Sequence, residues 1–310
     1  MTGFTVSSPS SPNLIVILGP TASGKTRLAA AAADRLGGEI ISADSRQVFR
    51  RMDIGSGKDL EEYGVIPHHL IDILEPGEEF SVFAFLRLFT AAFTDIVARG
   101  RIPFLVGGTG LYLDAVLRDY RMVHVPENPH LRRELEPLPL EDLQSRLMCL
   151  NPLLHNSTDL LDRQRLVRAI EIATLRNEGG GEEVHLPELR PLVFGMKLER
   201  EHLRRRITER LKARLQGGMI EEVQRLLADG VTAERLDYYG LEYRYISRYL
   251  GGELNRNDMF QKLNAAIHDF AKKQENWFRR MENQGVEIIW LDAAGDPLPR
   301  LLEEVASRGR

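Results

Sequence analysis

Residues 19–26 read Gly-Pro-Thr-Ala-Ser-Gly-Lys-Thr and match the phosphate-loop pattern G-x-x-x-x-G-K-[ST] at every fixed position. An apolar run from Asn13 to Gly19 predicts a buried strand before this loop, and an Ala-rich run from Lys25 to Leu36 predicts a helix after it. In that arrangement the loop N–H groups and the positive end of the helix face the same anion. The segment therefore predicts an α/β fold with a site for a di- or triphosphate. The residues expected to hold the diphosphate are Gly19, Pro20, Thr21, Ala22, Ser23, Gly24, Lys25 and Thr26, and the Thr26 hydroxyl is also suited to Mg²⁺.

Strand and helix signals alternate through the first third of the chain, which predicts a P-loop NTPase-like parallel sheet flanked by helices. The later part adds C-terminal helices to this core. Further strands are predicted at Glu39–Asp44, Pro67–Leu74, Ile102–Gly107, Leu192–Leu198 and Val286–Leu291. Further helices are predicted from Ser81 to Arg99, Gly110 to Leu117, Glu199 to Leu227, Asp258 to Asn283 and Leu298 to Ser307, with the long Glu199–Leu227 helix weakened at Gly217-Gly218.

Composition divides the chain into three parts. Residues 1–12 are rich in Ser, Pro and Thr and predict a disordered tail. Residues 121–189 carry many prolines between short helical patterns and predict a small helical insertion domain. Residues 13–120 and 190–310 then form the catalytic core.

Several classes of protein are excluded by composition. The longest apolar runs fall far short of the ~20 residues that span a bilayer, and the start of the chain has no secretory signal pattern. The single cysteine, Cys149, excludes a disulfide framework. We expect a cytoplasmic monomer with no membrane contact.

The acid expected after the Ile102–Gly107 strand is missing. A nucleoside triphosphatase normally holds Mg²⁺ with an Asp at such a strand end, but here Gly108-Thr109-Gly110 follows. Asp44 instead ends the neighbouring strand, and the carboxyl ends of parallel strands share one edge. Beside a bound diphosphate its carboxylate suits a general base. An Asp-Ser pair that caps a turn explains Asp44 equally well.

Two basic groups occur in a chain whose net charge is −4. The stretch from Arg200 to Arg214 holds seven Lys and Arg residues against two Glu. The second group, Lys272, Lys273, Arg279 and Arg280, surrounds Trp277 and Phe278. Each group is either a solvated helix face or a track for backbone phosphates with an aromatic nearby for stacking, and charge alone does not choose.

Six segments together resemble the bacterial form of the tRNA dimethylallyltransferases, also called tRNA isopentenyltransferases. The segments are the phosphate loop at 19–26, Ile-Ser-Ala-Asp-Ser-Arg-Gln-Val at 41–48, Met-Asp-Ile-Gly at 52–55, Pro-His-His-Leu-Ile-Asp-Ile at 67–73, Val-Gly-Gly-Thr-Gly-Leu-Tyr-Leu at 106–113, and Asp-Arg-Gln-Arg-Leu-Val-Arg-Ala-Ile-Glu at 162–171. The resemblance implies transfer of a dimethylallyl group from dimethylallyl diphosphate to the exocyclic amine of an adenosine. That adenosine lies just 3′ of the anticodon in tRNAs that read codons beginning with U.

The resemblance also implies roles for individual residues. Asp44 becomes the base, Thr109 a ligand in the reaction channel, and Arg244 a contact to the diphosphate or the RNA. The target base has to be flipped out of its loop, and the insertion and basic helices would hold the anticodon stem-loop. The implied tRNA contacts are Asp44, Ser45, Arg46, Gln47, Arg132, Gln164, Arg165, Leu166, Val167 and Arg168.

This chain departs from the family pattern at four places, one of which is Asn276-Trp277-Phe278-Arg279 in place of a Thr-Trp-Phe-Arg element. Ile54-Gly55-Ser56-Gly57-Lys58-Asp59 stands where members commonly read Ile-Gly-Thr-Ala-Lys-Pro. Gly240-Leu241-Glu242-Tyr243-Arg244 replaces a Gly-Tyr-Arg element, and the Gly179–Gly181 loop replaces a Gly-Lys-Pro-x-Ser turn. Three alternatives remain at this point: a small-molecule kinase, a prenyltransferase that acts on free AMP or ADP, and a nucleotide-dependent switch.

Overall fold

The computed structural model of the chain describes residues 11–151 and 160–309. Residues 1–10 of the predicted disordered tail lie outside the described residues. Ser11, near the end of that tail, is buried, and its carbonyl accepts a hydrogen bond from Arg190 Nε at 2.9 Å. The ordered core therefore begins slightly earlier than the sequence predicts.

The fold is centred on one parallel sheet, which confirms the predicted fold class. In the described residues the strands are β1 (Leu14–Leu18), β2 (Gly38–Ala43), β3 (His68–His69), β4 (Ile102–Gly107), β5 (Met122–Val123), β6 (Glu183–Val184), β7 (Pro191–Lys197) and β8 (Ile289–Asp292). Six of them form the sheet in the order β3-β2-β4-β1-β7-β8, and each neighbouring pair is parallel. Every residue of β1 is buried, as expected for a central strand covered on both faces.

Helices connect and flank these strands. They are α1 (Lys25–Leu36), α2 (Val82–Ala98), α3 (Gly110–Leu117), α4 (Pro129–Leu135), α5 (Leu140–Leu150), α6 (Arg163–Asn177), α7 (Arg200–Gln216), α8 (Met219–Ala228), α9 (Ala233–Tyr239), α10 (Leu241–Leu250), α11 (Arg256–Asn283) and α12 (Leu298–Arg308), with a short 3-10 helix at Leu60–Tyr63. Local chemistry sets several boundaries. The Ser81 hydroxyl accepts the Ala84 N–H and starts α2, whereas Gly37 ends α1 in a left-handed conformation. No helix among the described residues is long and apolar enough to cross a membrane.

Three predicted elements are wrong in extent. The strand predicted over Pro67–Leu74 is only two residues long, because Leu70 and Asp72 have positive φ and cannot continue an extended chain. The helix predicted over Glu199–Leu227 is divided into α7 and α8 at Gly218, whose φ is 98°. The last strand begins at Ile289 rather than at Val286.

The described chain divides into two compact units. The first comprises the described residues up to Asp119 and from Leu186 onwards, and it contains the sheet and α7–α12. The second is Tyr120–His185, with α4, α5 and α6 and the antiparallel pair β5–β6. Its core is a cluster of apolar side chains: Leu131, Leu135, Leu143, Leu147, Leu166, Ile170 and Ala173.

Candidate active site

The phosphate loop forms part of the wall of a cavity of about 450 Å³ in the first unit. Between β1 and α1, Ala22 and Gly24 adopt left-handed conformations, with φ of 62° and 86°. Such turns direct successive backbone N–H groups to one side, where they can receive an anion. Of the eight residues expected to hold a diphosphate, five line the cavity: Thr21, Ala22, Gly24, Lys25 and Thr26.

The other three loop residues do not line the cavity. The buried Ser23 hydroxyl has no hydrogen-bond partner among the described residues. Gly19 lies so close to Ser23 and Met196 that a Cβ there would come within 2.8 Å of the Ser23 hydroxyl. These residues shape the turn without lining the cavity. The Pro20 carbonyl accepts the Ser23 N–H at 3.3 Å and so stabilises the turn.

Asp44 and Thr109 line the same cavity, at the ends of adjacent strands. Ala43 of β2 lies in register with Gly107 of β4, so both side chains follow their strands at one edge of the sheet. The two loops are joined directly. The Thr109 N–H donates to the Ala43 carbonyl at 3.2 Å, and the Thr109 hydroxyl accepts the Ser45 N–H at 3.1 Å.

Asp44 caps a turn and also lines the cavity. Its Oδ1 accepts the Arg46 N–H at 3.0 Å, so the residue does cap a turn. The carboxylate also faces the cavity that the phosphate loop lines. The turn fixes the carboxylate at the cavity wall, which is the position that the general-base interpretation requires.

Gln274 of α11 joins the phosphate loop to the loop after β4. Its Oε1 accepts the Thr21 N–H at 2.9 Å, and its Nε2 donates to the Gly108 carbonyl at 2.8 Å. The side chain is only 7% exposed, and a Cβ at Gly108 would collide with its amide. Sequence reasoning missed this residue, because it lies 253 positions from Thr21 and no local pattern marks it.

Replacing Gln274 by Ala is expected to weaken the binding of inorganic pyrophosphate about tenfold or more, because the Thr21 N–H and the Gly108 carbonyl lose the side chain that joins their loops, and each unpaired group costs roughly 1–3 kcal/mol. Titration calorimetry measures the affinity. Asn276→Ala changes an exposed residue of the same helix and serves as the control. Equal affinities for Gln274→Ala and the unchanged protein would show that the loop holds its shape without this bridge.

Helix α7 presents three arginines to the cavity: Arg206, Arg210 and Arg214. Their spacing of four residues places them on one helix face. Arg210 Nη1 donates to the Thr21 hydroxyl at 3.3 Å, which connects α7 to the phosphate loop. By contrast, Arg204 and Arg205 are exposed. The basic stretch therefore has two faces. The face turned inward lies at the cavity where the anion is expected, and it is not a solvent-exposed surface for RNA.

Positive charge accumulates around Lys25. Burial, and after it Arg210 and Arg214, lower the pKa of Lys25, Asp44 and Asp59 oppose them, and the net result is a pKa of about 8. Three cations thus share one end of the cavity with two carboxylates. A bound di- or triphosphate supplies the negative charge that this region lacks.

Comparison with protein families identifies the chain. The family model described as IPP transferase matches residues 47–281, about three quarters of the chain. The chain belongs to the IPP transferase family. A second model, isopentenyl transferase, matches residues 12–63 and covers the phosphate loop.

Relatives named as tRNA dimethylallyltransferases match almost the whole chain. A tRNA dimethylallyltransferase 2 of Pelobacter propionicus is 66% identical over 92% of this chain and 91% of its own length. Another from Citrifermentans bemidjiense is 61% identical over 99% of both chains. The crystal structure of a tRNA isopentenylpyrophosphate transferase from Bacillus halodurans is 32% identical, with a TM-score of 0.71 over 96% of this chain and 97% of that one. A eukaryotic dimethylallyltransferase acting on tRNA shares the fold at 24% identity, with a TM-score of 0.76 over 91% of this chain and 74% of that one.

Glu222 of α8 joins the 53–55 segment to Tyr243 of α10. The buried Glu222 carboxylate accepts the N–H groups of Asp53, Ile54 and Gly55 at 2.7–3.0 Å. It also accepts the Tyr243 hydroxyl at 2.9 Å. Burial raises the pKa of Tyr243 well above its usual value, and the Glu222 charge adds to this. These hydrogen bonds of Glu222 fix the 53–59 segment along the cavity. The sequence analysis does not predict this role of Glu222.

The predicted RNA contacts after Asp44 have protein partners in the structure. Ser45, Arg46 and Gln47 all line the cavity. Arg46 pairs with Glu242 at 3.1 Å and lies over the Phe270 ring at 4.8 Å. Gln47 is buried: its Oε1 accepts the Ser42 hydroxyl and its Nε2 donates to the Gly57 carbonyl. Its amide therefore supports the cavity wall instead of reaching outward.

Arg244 does not line the cavity. It lies on α10, where Nη2 donates to the Asp237 carbonyl at 2.9 Å and Nε lies 3.6 Å from the Asp237 carboxylate. Its predicted contact with the diphosphate has no support in this geometry. Phe278, expected beside the second basic group for stacking, is fully buried, whereas Trp277 lines the cavity.

The predicted RNA contacts in the second unit differ in exposure. Leu166 is 0% exposed in the apolar core of this unit, so its side chain is not an RNA contact. Gln164 and Arg165 are exposed, and Val167 is half-buried. Arg132 and Arg168 both pair with the buried Glu171 carboxylate, at 2.8 and 3.0 Å. Glu171 fixes the two guanidinium groups, which are each more than a third exposed.

Proposed function

We propose that this protein transfers a dimethylallyl group from dimethylallyl diphosphate to the exocyclic amine of the adenosine 3′ of the anticodon in tRNA. The observation that carries the proposal is that Asp44 and Thr109 line one cavity with the phosphate loop. An acceptor in that cavity would meet a base and an anion site together. Membership of the IPP transferase family and the names of the relatives support this reaction over a kinase.

The reaction needs one bond to break and one to form. The amine nitrogen attacks the allylic carbon, the carbon–oxygen bond to the diphosphate breaks, and pyrophosphate leaves with the bonding electrons. Asp44 accepts the proton that the amine loses. Lys25, the loop N–H groups and the cavity-facing arginines of α7 stabilise the negative charge that develops on the leaving group.

The remaining walls of the cavity suit the other parts of the substrates. Leu111, Ile267, Phe270 and Trp277 supply apolar surface for the dimethylallyl group and for a flipped base. The Thr109 hydroxyl already accepts the Ser45 N–H, so its own proton is available to a substrate atom. A cavity of about 450 Å³ lies within the usual range for small-molecule sites.

The residues present fit Mg²⁺ bound through the diphosphate. No group of three or more His, Cys, Asp or Glu that could hold a metal occurs among the described residues. Mg²⁺ needs little from the protein, since it usually keeps several waters and binds substrate phosphates. The Thr26 hydroxyl lines the cavity and would hold the ion there. When bound, Mg²⁺ neutralises negative charge on the leaving pyrophosphate.

Basic residues with exposed or partly exposed side chains provide candidate contacts to the anticodon stem-loop. In the second unit these are the exposed Arg165 and the partly exposed Arg132 and Arg168, and in the first unit the exposed Arg204 and Arg205 on α7. Lys272, Arg279 and Arg280 extend the set along α11. Lys and Arg contacts to phosphates make such binding strongly salt-dependent.

The test is a reaction of the purified protein with dimethylallyl diphosphate, Mg²⁺ and an unmodified tRNA transcript whose anticodon reads a codon beginning with U. Mass spectrometry of the digested nucleosides should find one adenosine heavier by a dimethylallyl group. Parallel reactions with AMP or ADP as acceptor should give no product. Modified AMP with unmodified tRNA would reject the proposal, as would transfer of phosphate from ATP without any prenyl transfer.

A further inference from the structure

Asp59 has a specific set of partners for its side chain. Its backbone is left-handed, with φ of 44°. Although Asp59 precedes the 3-10 helix at Leu60–Tyr63, its carboxylate makes no capping hydrogen bond there. The carboxylate instead pairs with Arg210, and with Arg214 at 2.9 Å.

The chain around Asp59 is held firmly. Lys58, which is 1% exposed, donates to the Phe49 carbonyl at 2.7 Å and pairs with the carboxylates of Asp53 and Asp72. Gly57 lies directly against the Arg210 and Arg214 guanidinium groups, since a Cβ on Gly57 would collide with both. The position of the Asp59 carboxylate is thus set by the fold and not by a flexible loop.

The two arginines paired with Asp59 belong to the anion end of the cavity. Arg210 also donates to the Thr21 hydroxyl of the phosphate loop, and both arginines lower the pKa of Lys25. Asp59, Arg210, Arg214 and Lys25 all line the cavity. The carboxylate of Asp59 therefore neutralises the same cations that would meet a diphosphate.

Asp59 remains ionised while it does so. Burial by itself would raise the pKa of Asp59, but Arg210 and Arg214 outweigh burial and hold it below its usual value. A carboxylate bound by two arginines resembles a phosphate bound by two arginines, because both use the same planar donors. The free protein thus carries an internal anion beside its anion site.

We propose that Asp59 competes with the donor's diphosphate for Arg210 and Arg214. In the free enzyme the two arginines bind the Asp59 carboxylate, and when the donor enters they bind its phosphate oxygens. After transfer, the Asp59 carboxylate pairs with the two arginines again, and this favours the release of pyrophosphate. This inference rests on the proposed function, since it takes the donor's diphosphate as the anion.

Titration calorimetry with inorganic pyrophosphate and the full-length protein tests the competition. Asp59→Asn should bind pyrophosphate about 3–10-fold more tightly, because a negative charge beside a multiply charged anion is removed. Asn tolerates the left-handed backbone, so the loop is retained. Unchanged or weaker binding by Asp59→Asn would overturn the proposal.

Arg210→Gln and Arg214→Gln should each weaken pyrophosphate binding about tenfold or more, since charge-assisted hydrogen bonds are lost. Arg200→Gln is the matched control, because it removes an exposed arginine from the start of the same helix. If all three variants bind alike, the two arginines do not contact the anion and the proposal fails.

A folding defect can be separated from a binding defect. Arg210→Gln leaves Asp59 with one partner fewer, so the double variant Asp59→Asn/Arg210→Gln should recover any lost thermal stability while still binding pyrophosphate more weakly than Asp59→Asn. Double-variant affinity equal to that of Asp59→Asn would overturn the proposal. The assay uses neither tRNA nor an allylic donor. Tight binding by Asp59→Asn together with no tRNA prenylation would therefore reject the proposed function alone.

Discussion

Replacing Asp44 by Asn is expected to lower kcat for tRNA prenylation about 100-fold or more, the usual range for losing a general base. Asn has the same shape, and its side-chain oxygen can still accept the Arg46 N–H that Asp44 accepts at 3.0 Å. The turn and the cavity wall are therefore retained. What is lost is the oxygen that takes the proton of the attacking amine.

Steady-state kinetics should be read together with binding. The affinity of Asp44→Asn for unmodified tRNA and for inorganic pyrophosphate should stay within a few-fold of the unchanged protein. Ser45→Ala is a comparison variant in the same loop. The Ser45 backbone N–H donates to the Thr109 hydroxyl, and this substitution retains that N–H. An unchanged kcat in Asp44→Asn would remove this residue from the chemistry, and lost tRNA binding would make it a recognition residue.

The parts of the site that the sequence predicts are those encoded by consecutive residues. The phosphate loop is eight residues long, and its glycines, Lys25 and Thr26 can be interpreted without any distant contact. The position of Asp44 beside it follows from strand order, because β2 and β4 end in register in a parallel sheet. Asp44 and Thr109 thus meet through topology that local patterns already indicate.

The parts that the sequence did not predict depend on contacts between distant segments. Gln274 is 253 residues from the N–H it holds, and Glu222 is 167 residues from Gly55. A single Gln or Glu on a helix carries no local mark of burial. The arginines of α7 are an intermediate case: their four-residue spacing was visible, but which face of the helix turns toward the cavity depends on packing.

The errors in the predicted elements have a similar origin. The apolar pattern of Pro67–Leu74 suits a strand, yet Leu70 and Asp72 adopt positive φ, which hydrophobic periodicity does not reveal. The motif that contains Leu166 predicts an RNA contact there, whereas helix periodicity places Leu166 on the buried face with Ile170. Within a functional motif, alternate faces of the helix serve different purposes.

Lys25→Gln is expected to weaken the binding of inorganic pyrophosphate roughly 100-fold at pH 7, because a buried charge-assisted contact is lost. The pKa of Lys25 is lowered to about 8 by burial and by Arg210 and Arg214. In the free protein the ammonium is therefore charged below pH 8 and neutral above it. A bound anion favours the charged form, so binding above pH 8 takes up a proton.

The pH dependence gives the sharper test. The affinity ratio between the unchanged protein and Lys25→Gln should be constant up to about pH 7, then fall by up to roughly tenfold per pH unit above 8. Taking the ratio removes the titration of pyrophosphate itself, which acts on both proteins equally. Calorimetry in two buffers of different ionisation enthalpy should detect proton uptake at pH 8.5 that Lys25→Gln lacks. A ratio that stays constant to pH 9.5 would mean that Lys25 keeps its charge there, and that burial and the arginines of α7 do not lower its pKa.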